Sequence, residues 1–314
     1  PYNETTARTF RSCSRTSSGV SAGSFGAYAA SMESCPPADA PDWRTLTREQ
    51  LDQGLNNSLA VADSAVIIAG WDPPSVALRA RHPQYLDLRY GPRERNRIDL
   101  LQAGRGGPTL VFIHGGYWQA RAKEDFTFCA AGPLAHGIDV ALIGYTLAPD
   151  VRLGQIVEEI HAGLDHLARE LPALGGDPQR IIVSGWSAGA HLSAMALGHP
   201  HARAALLISG VYDLEPIRHS YLNAKLDLDD ATIRANSPLL QAGGIGKPAA
   251  LVVGSAGPPL LRAQSANFAA HRARHGLPVV YEEIPGANHF SILKQLASPA
   301  GRLTALVRDL ARPA

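Results

Sequence analysis

The chain has 314 residues, of which 45% are hydrophobic and 18% charged, which is typical of a globular protein long enough to bury its own core. Its 29 basic and 28 acidic side chains leave a net charge of +1, which argues against nucleic acid or an anionic membrane surface as a partner. No apolar run reaches about 18 residues, so the sequence predicts no membrane span.

Residues 1–41 form a segment rich in Ser, Thr, Ala and Gly that cannot build a core of its own. We interpret it as an N-terminal extension, either a disordered remnant of a removed leader or an arm that packs over a neighbouring subunit. Cys13 and Cys35 lie in this extension, and Cys129 lies outside it. The first two would pair in an oxidising compartment, and reduced thiols are the alternative.

Residues 42–314 are interpreted as one domain. Thr47 and Gln50 resemble a capping box at the start of a helix, and alternating segments at 85–90 and 97–101 predict an antiparallel hairpin. Short apolar segments then alternate with helical ones. The expected strands are 109–113, 138–145, 180–184, 204–209, 249–253 and 279–284, and the expected helices are 124–135, 153–171, 188–197, 260–275 and 291–310.

This order of elements predicts an α/β fold with a mainly parallel sheet, an antiparallel N-terminal edge and helices on both faces. A segment at about 214–240, without strong periodicity, is expected to form a small cap. Functional sites in such sheets form at the carboxyl ends of the strands.

The sequence Gly185-Trp-Ser-Ala-Gly189 joins a strand-like run to a helical one, which is the pattern of a nucleophile elbow. Its glycines permit a close backbone crossing, and the turn presents Ser187 as the nucleophile. Residues 114–118, His-Gly-Gly-Tyr-Trp, follow a predicted strand where an oxyanion loop is expected. We expect the backbone N–H groups of Gly116, Tyr117 and Ala188 to hold the oxyanion.

His289 is the predicted general base among 12 histidines, because it lies in a polar loop directly after the last predicted strand. A triad also needs a carboxylate, expected after the strand at 249–253, but residues 254–261 contain no acid. Aromatic side chains near these segments are candidates to line a substrate pocket, with local packing as the alternative. They are His114, Tyr117, Trp118, Trp186 and Tyr212.

Together these segments resemble the kynurenine formamidase (arylformamidase) family of α/β-hydrolases, from about residue 48 to residue 293. The similar segments are 114–119, 187–192, 209–217, 236–239, 252–254, 264–265 and 289–290. The resemblance implies hydrolysis of an aromatic N-formyl amide, typically N-formylkynurenine, through Ser187 and His289. It also implies a cytoplasmic protein and, with the extension, a homodimer. A disulfide between Cys13 and Cys35 would instead indicate an extracytoplasmic protein.

The sequence departs from the family at the catalytic acid, whose position falls on Gly257. Three interpretations stay open. Asp213 or Glu215, which follow the strand at 204–209, replaces the acid, although a helix cap and an ion pair would also explain them. Alternatively, Ser187 and His289 act as a dyad on an activated ester, or the protein is a non-catalytic ligand-binding homologue.

We therefore expect a serine hydrolase that works through an acyl-enzyme and needs no metal or cofactor. The expected partner is a small molecule, with a carboxylic ester as the substrate and an aryl formamide as the alternative.

Overall fold

The computed structural model describes residues 41–241 and 245–312. Apart from residue 41, the predicted extension lies outside the described residues, and so does the Cys13–Cys35 pair. Cys129 is a free, buried thiol, and burial raises its pKa. None of the helices in the described ranges is long and apolar enough to span a membrane.

One sheet contains eight strands of the described residues, in the order β1-β2-β4-β3-β5-β6-β7-β8. The strands are β1 Leu88–Arg89, β2 Arg97–Leu101, β3 Thr109–Ile113, β4 Asp139–Ile143, β5 Ile181–Trp186, β6 Ala202–Ile208, β7 Ala249–Gly254 and β8 Val279–Ile284. β2 pairs antiparallel with β1 and β4, and the other neighbouring strands are parallel. The predicted fold class, with its antiparallel edge, is confirmed.

Fourteen α-helices occur in the described residues. They are α1 Arg48–Leu55, α2 Asn57–Ala60, α3 Ser64–Ala69, α4 Asp72–Arg81, α5 Ala131–Leu134, α6 Leu153–Leu174, α7 Ala188–Ala196, α8 Glu215–Arg218, α9 Asn223–Leu226, α10 Asp230–Asn236, α11 Pro238–Gln241, α12 Pro259–Arg274, α13 Lys294–Ala297 and α14 Arg302–Leu310. The predicted capping box is present, because the Thr47 and Gln50 side chains each accept the other's backbone N–H. The segment predicted as a cap contains the short helices α8 to α11.

Two predicted helices have the wrong form. Residues 124–135 begin as the 3₁₀ helix Lys123–Ala130, and only α5 is α-helical. Pro133 explains the break, because it has no N–H and its ring clashes with the preceding turn of an α-helix. The helix predicted at 291–310 is interrupted between α13 and α14. Pro299 in this gap has no backbone N–H for a helical hydrogen bond, and a Cβ at Gly301 would meet the carbonyl of Gln295.

The sheet separates two apolar cores, as the alternation along β3 requires. Val111 and Ile113 belong to the core under α6, α7 and α12, whereas Leu110 and Phe112 belong to the core that contains Leu303 and Val307 of α14. Since both faces of the sheet are buried, polar groups lie mainly at the ends of the strands, in the loops that follow them.

Candidate active site

The residues predicted to carry the chemistry follow neighbouring strands at the carboxyl edge of the sheet. Ser187 follows β5, His114 follows β3, and His289 lies five residues after β8. β3 and β5 are paired, so the oxyanion loop and the elbow leave the sheet side by side. The parallel topology therefore collects segments that lie up to 175 residues apart in the sequence.

The nucleophile elbow has a strained backbone at Ser187, with φ 58° and ψ −118°. Positive φ at a non-glycine residue costs about 1–3 kcal/mol and persists only where the surrounding structure enforces it. A Cβ at Gly185 would meet the backbone of Gly189, and a Cβ at Gly189 would meet the carbonyl oxygen of Ile113. The two flanking glycines are therefore required by the close crossing of strand and helix.

The oxyanion loop has an unusual backbone. Gly116, Tyr117 and Trp118 have φ of 110°, 49° and 59°, and a Cβ at Gly116 would meet the carbonyl of Ala120. Among the described residues, the backbone N–H groups of Gly116, Tyr117 and Ala188 donate to no protein acceptor. Free N–H groups beside a nucleophile are what an oxyanion requires.

A buried hydrogen-bond chain ties the oxyanion loop to the elbow helix. Trp118 Nε1 donates to His191 Nδ1 at 3.3 Å, and His191 Nε2 lies 2.7 Å from the carbonyl oxygen of Asn236. A neutral imidazole with its proton on Nε2 satisfies both contacts. Burial lowers the pKa of His191 to about 4, which keeps it neutral. Nothing in the sequence around His191 indicated this role.

His289 is 1% exposed, and neither of its ring nitrogens has a hydrogen-bond partner among the described residues. Burial lowers its pKa to about 3. Two side chains hold the backbone of its loop: the Asn288 side chain accepts the N–H groups of Phe290 and Ser291, and Trp186 Nε1 donates to the His289 carbonyl oxygen at 2.7 Å. His289 thus lies beside the elbow as a neutral imidazole.

The two candidate acids engage other partners. Asp213 Oδ1 accepts the backbone N–H of Glu215 at 3.0 Å, where α8 begins, and Glu215 Oε1 lies 3.1 Å from His219 Nε2. These are the helix cap and the ion pair named as alternatives. Since neither carboxylate contacts His289, the replacement of the acid by Asp213 or Glu215 stays a prediction without a contact that supports it.

Comparison with known proteins agrees with this geometry. The α/β-hydrolase fold family matches residues 110–293. Kynurenine formamidase of Salmo salar is 30% identical over 240 residues, which are 71% of this chain and 80% of that protein. The chain belongs to the kynurenine formamidase-like α/β-hydrolases. Kynurenine formamidase of Danio rerio is 27% identical over 288 residues, which are 85% and 97% of the two chains. A solved structure from Silicibacter sp. TM1040, provisionally described as a thioesterase, has a TM-score of 0.75 at 27% identity and covers 82% of this chain and 99% of its own.

The position that the resemblance assigns to the catalytic acid, Gly257, is a buried residue in the turn after β7. The Gly257 N–H donates to the Gly254 carbonyl at 2.9 Å, and a Cβ at Gly257 would lie 2.9 Å from that same oxygen. The φ of Gly257 is not in the left-handed region, so other residues can adopt it. The loop thus contains no carboxylate, and a side chain at position 257 would require the backbone of the turn to shift.

Four of the five aromatic residues predicted for the pocket are buried in the kynurenine formamidase-like hydrolase, and Tyr117 is half-buried. His114 stacks on Tyr145 at 4.2 Å and Tyr212 on Phe268 at 4.5 Å, while Trp118 is fully buried. Tyr117 donates through its hydroxyl to the Leu55 carbonyl at 2.8 Å. In this conformation, these contacts agree with the alternative interpretation, in which the aromatic side chains pack locally instead of lining a pocket.

A cavity of about 800 Å³ lies near the carboxyl ends of the strands of the kynurenine formamidase-like hydrolase. Its walls include Leu55 of α1, Tyr212, Asp213, and Leu260 and Gln264 of α12. The sequence did not indicate this cavity, because α1 and α12 are far apart in the chain.

Three carboxylates of the kynurenine formamidase-like hydrolase have the spacing of metal ligands. Within the described ranges, Asp87, Asp99 and Glu124 offer oxygens within 4.8 Å of one another. The Lys123 ammonium lies 2.7, 2.8 and 2.5 Å from these three side chains. The cluster is therefore built around an ammonium group, away from the elbow.

Proposed function

We propose that this hydrolase cleaves a carboxylic ester through an acyl-enzyme on Ser187. The observation that supports the proposal is the strained elbow at Ser187, together with the contact of the adjacent Trp186, whose ring centroid lies 4.6 Å from that of His289. In the proposed reaction Ser187 Oγ attacks the carbonyl carbon while His289 takes the hydroxyl proton. Backbone N–H groups of Gly116, Tyr117 and Ala188 stabilise the oxyanion. His289 then returns the proton to the leaving group, and water releases the acyl group by the same steps.

No carboxylate among the described residues contacts His289, and this favours an ester over an amide as the substrate. Loss of the acid from a triad lowers the rate by about 10⁴-fold, because the imidazolium forms without a compensating charge. An ester with a good leaving group needs less protonation as it departs than an amide does. A dyad of Ser187 and His289 therefore suits an activated ester.

An aryl formamide is the second candidate, and the similarity to two kynurenine formamidases favours it. Trp118, Trp186, Tyr212 and His114 would then form the aromatic surroundings of the site. The acid would be Asp213 or Glu215, brought to His289 when substrate binds.

Ser187 is only 2% exposed, and access of a substrate to it is expected to need the movement of a covering segment. The contacts that cover the oxyanion loop come from α1 and α2. Tyr117 donates to Leu55, and Asn57 Nδ2 lies 3.3 Å from the Tyr117 hydroxyl. We propose that α1 and α2 open to admit the substrate, as lid segments do in other hydrolases.

The test compares turnover of p-nitrophenyl acetate and N-formylkynurenine by the wild type and by Ser187→Ala. Ser209→Ala is the matched control, since Ser209 is also buried, directly follows a strand (β6) at the same edge and has positive φ. We expect ester turnover and fluorophosphonate labelling to be lost in Ser187→Ala alone. Labelling that survives in Ser187→Ala would refute the proposal, and no turnover in the wild type would indicate a ligand-binding homologue. The homodimer stays a prediction, which sedimentation of the full chain tests.

A further inference from the structure

The acid of a catalytic triad performs two tasks: it holds the histidine in the productive orientation, and it stabilises the imidazolium that forms during the reaction. In this protein neither nitrogen of His289 has a hydrogen-bond partner among the described residues. If Ser187 and His289 are catalytic, another group must perform these tasks.

Trp186 makes two distinct contacts with His289. Its indole Nε1 donates to the His289 carbonyl oxygen at 2.7 Å. Its ring lies against the imidazole, with centroids 4.6 Å apart and an interplanar angle of 35°. The first contact fixes the backbone that carries the histidine, and the second places an aromatic face beside the ring that becomes charged.

The indole itself is held rigidly. Trp186 is 4% exposed and packs against Phe126 at 5.6 Å, Phe290 at 5.7 Å and the edge of Trp71 at 5.7 Å. A Cβ at Gly115 would lie 2.5 Å from the indole ring, so the oxyanion loop also packs directly on it. One side chain therefore connects the elbow, the oxyanion loop and the loop of the general base.

The electrostatic contribution follows from burial. An imidazolium within about 6 Å of an indole centroid is attracted by the ring quadrupole, and most strongly where water is excluded. Neutral His289 gains little from the same contact. The indole therefore stabilises the charged state that forms as Ser187 loses its proton, in the same direction as a carboxylate but more weakly.

We propose that Trp186 is the positioning residue for His289 and takes over both tasks of the missing acid. This inference rests on the proposed function. It assigns a role beyond lining the site to Trp186, which lies between Gly185 and Ser187 in the elbow.

Three variants test it with p-nitrophenyl acetate. Trp186→Phe keeps an aromatic face but removes the indole N–H, and Trp186→Leu removes both contacts. The matched control is Trp71→Phe, since Trp71 belongs to the same cluster and its Nε1 has no acceptor among the described residues. We expect kcat to fall about 5-fold in Trp186→Phe and about 30-fold in Trp186→Leu, which corresponds to a desolvated cation–π contact. KM should change less than 3-fold, roughly, because the two contacts removed are made with His289 and act on the chemical step rather than on substrate binding.

A second arm separates positioning from a merely structural role. In a Gly257→Asp background, a carboxylate shares the stabilisation of the imidazolium, so the kcat loss caused by Trp186→Leu should shrink. In the matched Gly257→Asn background, the loss should stay as large as in the wild type. Thermal unfolding of each variant shows that the compared proteins are folded.

The outcomes are distinct. Equal kcat losses in Trp71→Phe and Trp186→Phe, a loss confined to KM, or wild-type kcat in Trp186→Leu would each overturn the inference and leave the proposed function intact. Turnover that persists in Ser187→Ala would overturn the proposed function, and the inference would fall with it. If Gly257→Asp does not fold, the kcat and KM comparison with Trp71→Phe decides alone.

Discussion

The Ala256 backbone N–H donates a 3.0 Å hydrogen bond to the carbonyl oxygen of Ala287 and so joins the loop after β7 to the loop of His289. A second bond, from the Gly286 N–H to Ser255 Oγ at 2.9 Å, joins the same two loops. The loop that contains position 257 is therefore held against the loop that carries His289. Position 257 itself carries no side chain that could reach His289.

Restoring the acid should raise amide turnover. We expect Gly257→Asp to increase kcat/KM for N-formylkynurenine about 10- to 10²-fold, which is part of the roughly 10⁴-fold effect of a triad acid. The gain is partial because the new Cβ would lie 2.9 Å from the Gly254 carbonyl oxygen, so the turn must shift. Gly257→Asn has the same shape without the charge and should give no gain. Equal values for the two variants would show that the carboxylate does not reach His289.

The two remaining candidate acids should tolerate neutralisation. Because Asp213 caps α8 and Glu215 pairs with His219, we expect Asp213→Asn and Glu215→Gln to keep kcat within about 3-fold of the wild type. The measurement is steady-state turnover of p-nitrophenyl acetate and N-formylkynurenine. A loss of about 10²-fold in one variant would assign that carboxylate to catalysis and imply that it moves to His289 on substrate binding.

Local sequence patterns predicted the parts of the fold that depend on neighbouring residues. The strand β3, the elbow around Ser187 and the capping box at Thr47 follow from periodicity, glycine geometry and side-chain capping. Contacts between distant segments were not predictable in this way. The bond from Trp186 to His289 spans 103 residues, and nothing in either local sequence specifies it. The same holds for Trp118 and His191, which meet because β3 and β5 are paired.

The Trp118–His191 bond should contribute to stability. Trp118→Phe removes the N–H and leaves His191 Nδ1 buried without a donor, which typically costs about 1–3 kcal/mol. Trp71→Phe removes an N–H that has no acceptor among the described residues, so it should cost less. Urea unfolding at neutral pH measures both free energies. A smaller decrease in the free energy of unfolding in Trp118→Phe than in Trp71→Phe would contradict a stabilising role for this bond.

The ion cluster around Lys123 should be essential for stability but not for the chemistry of the site. Lys123→Met leaves Asp99, which is fully buried, without its ammonium partner, and breaking a buried pair in this way costs about 3–5 kcal/mol. Arg79 still pairs with Asp99, which places the expected loss at the low end of that range. Lys225→Met, on an exposed position, is the control and should cost little. A loss in Lys123→Met no larger than that of the control would contradict the role of the ammonium.

The pH dependence of activity should lack the inflection of an ordinary histidine. A general base acts in its neutral form, so kcat/KM falls only as the pH drops through the pKa of His289 in the free enzyme. Burial lowers that pKa from 6.5 to about 3. We therefore expect kcat/KM for p-nitrophenyl acetate to stay level between about pH 8 and pH 5. Because His289 is protonated more readily when the chain unfolds, stability declines as the pH falls below 6.5, so folding must be checked at each pH. A half-maximal rate near pH 6.5 in folded enzyme would mean that His289 is hydrated in the active conformation.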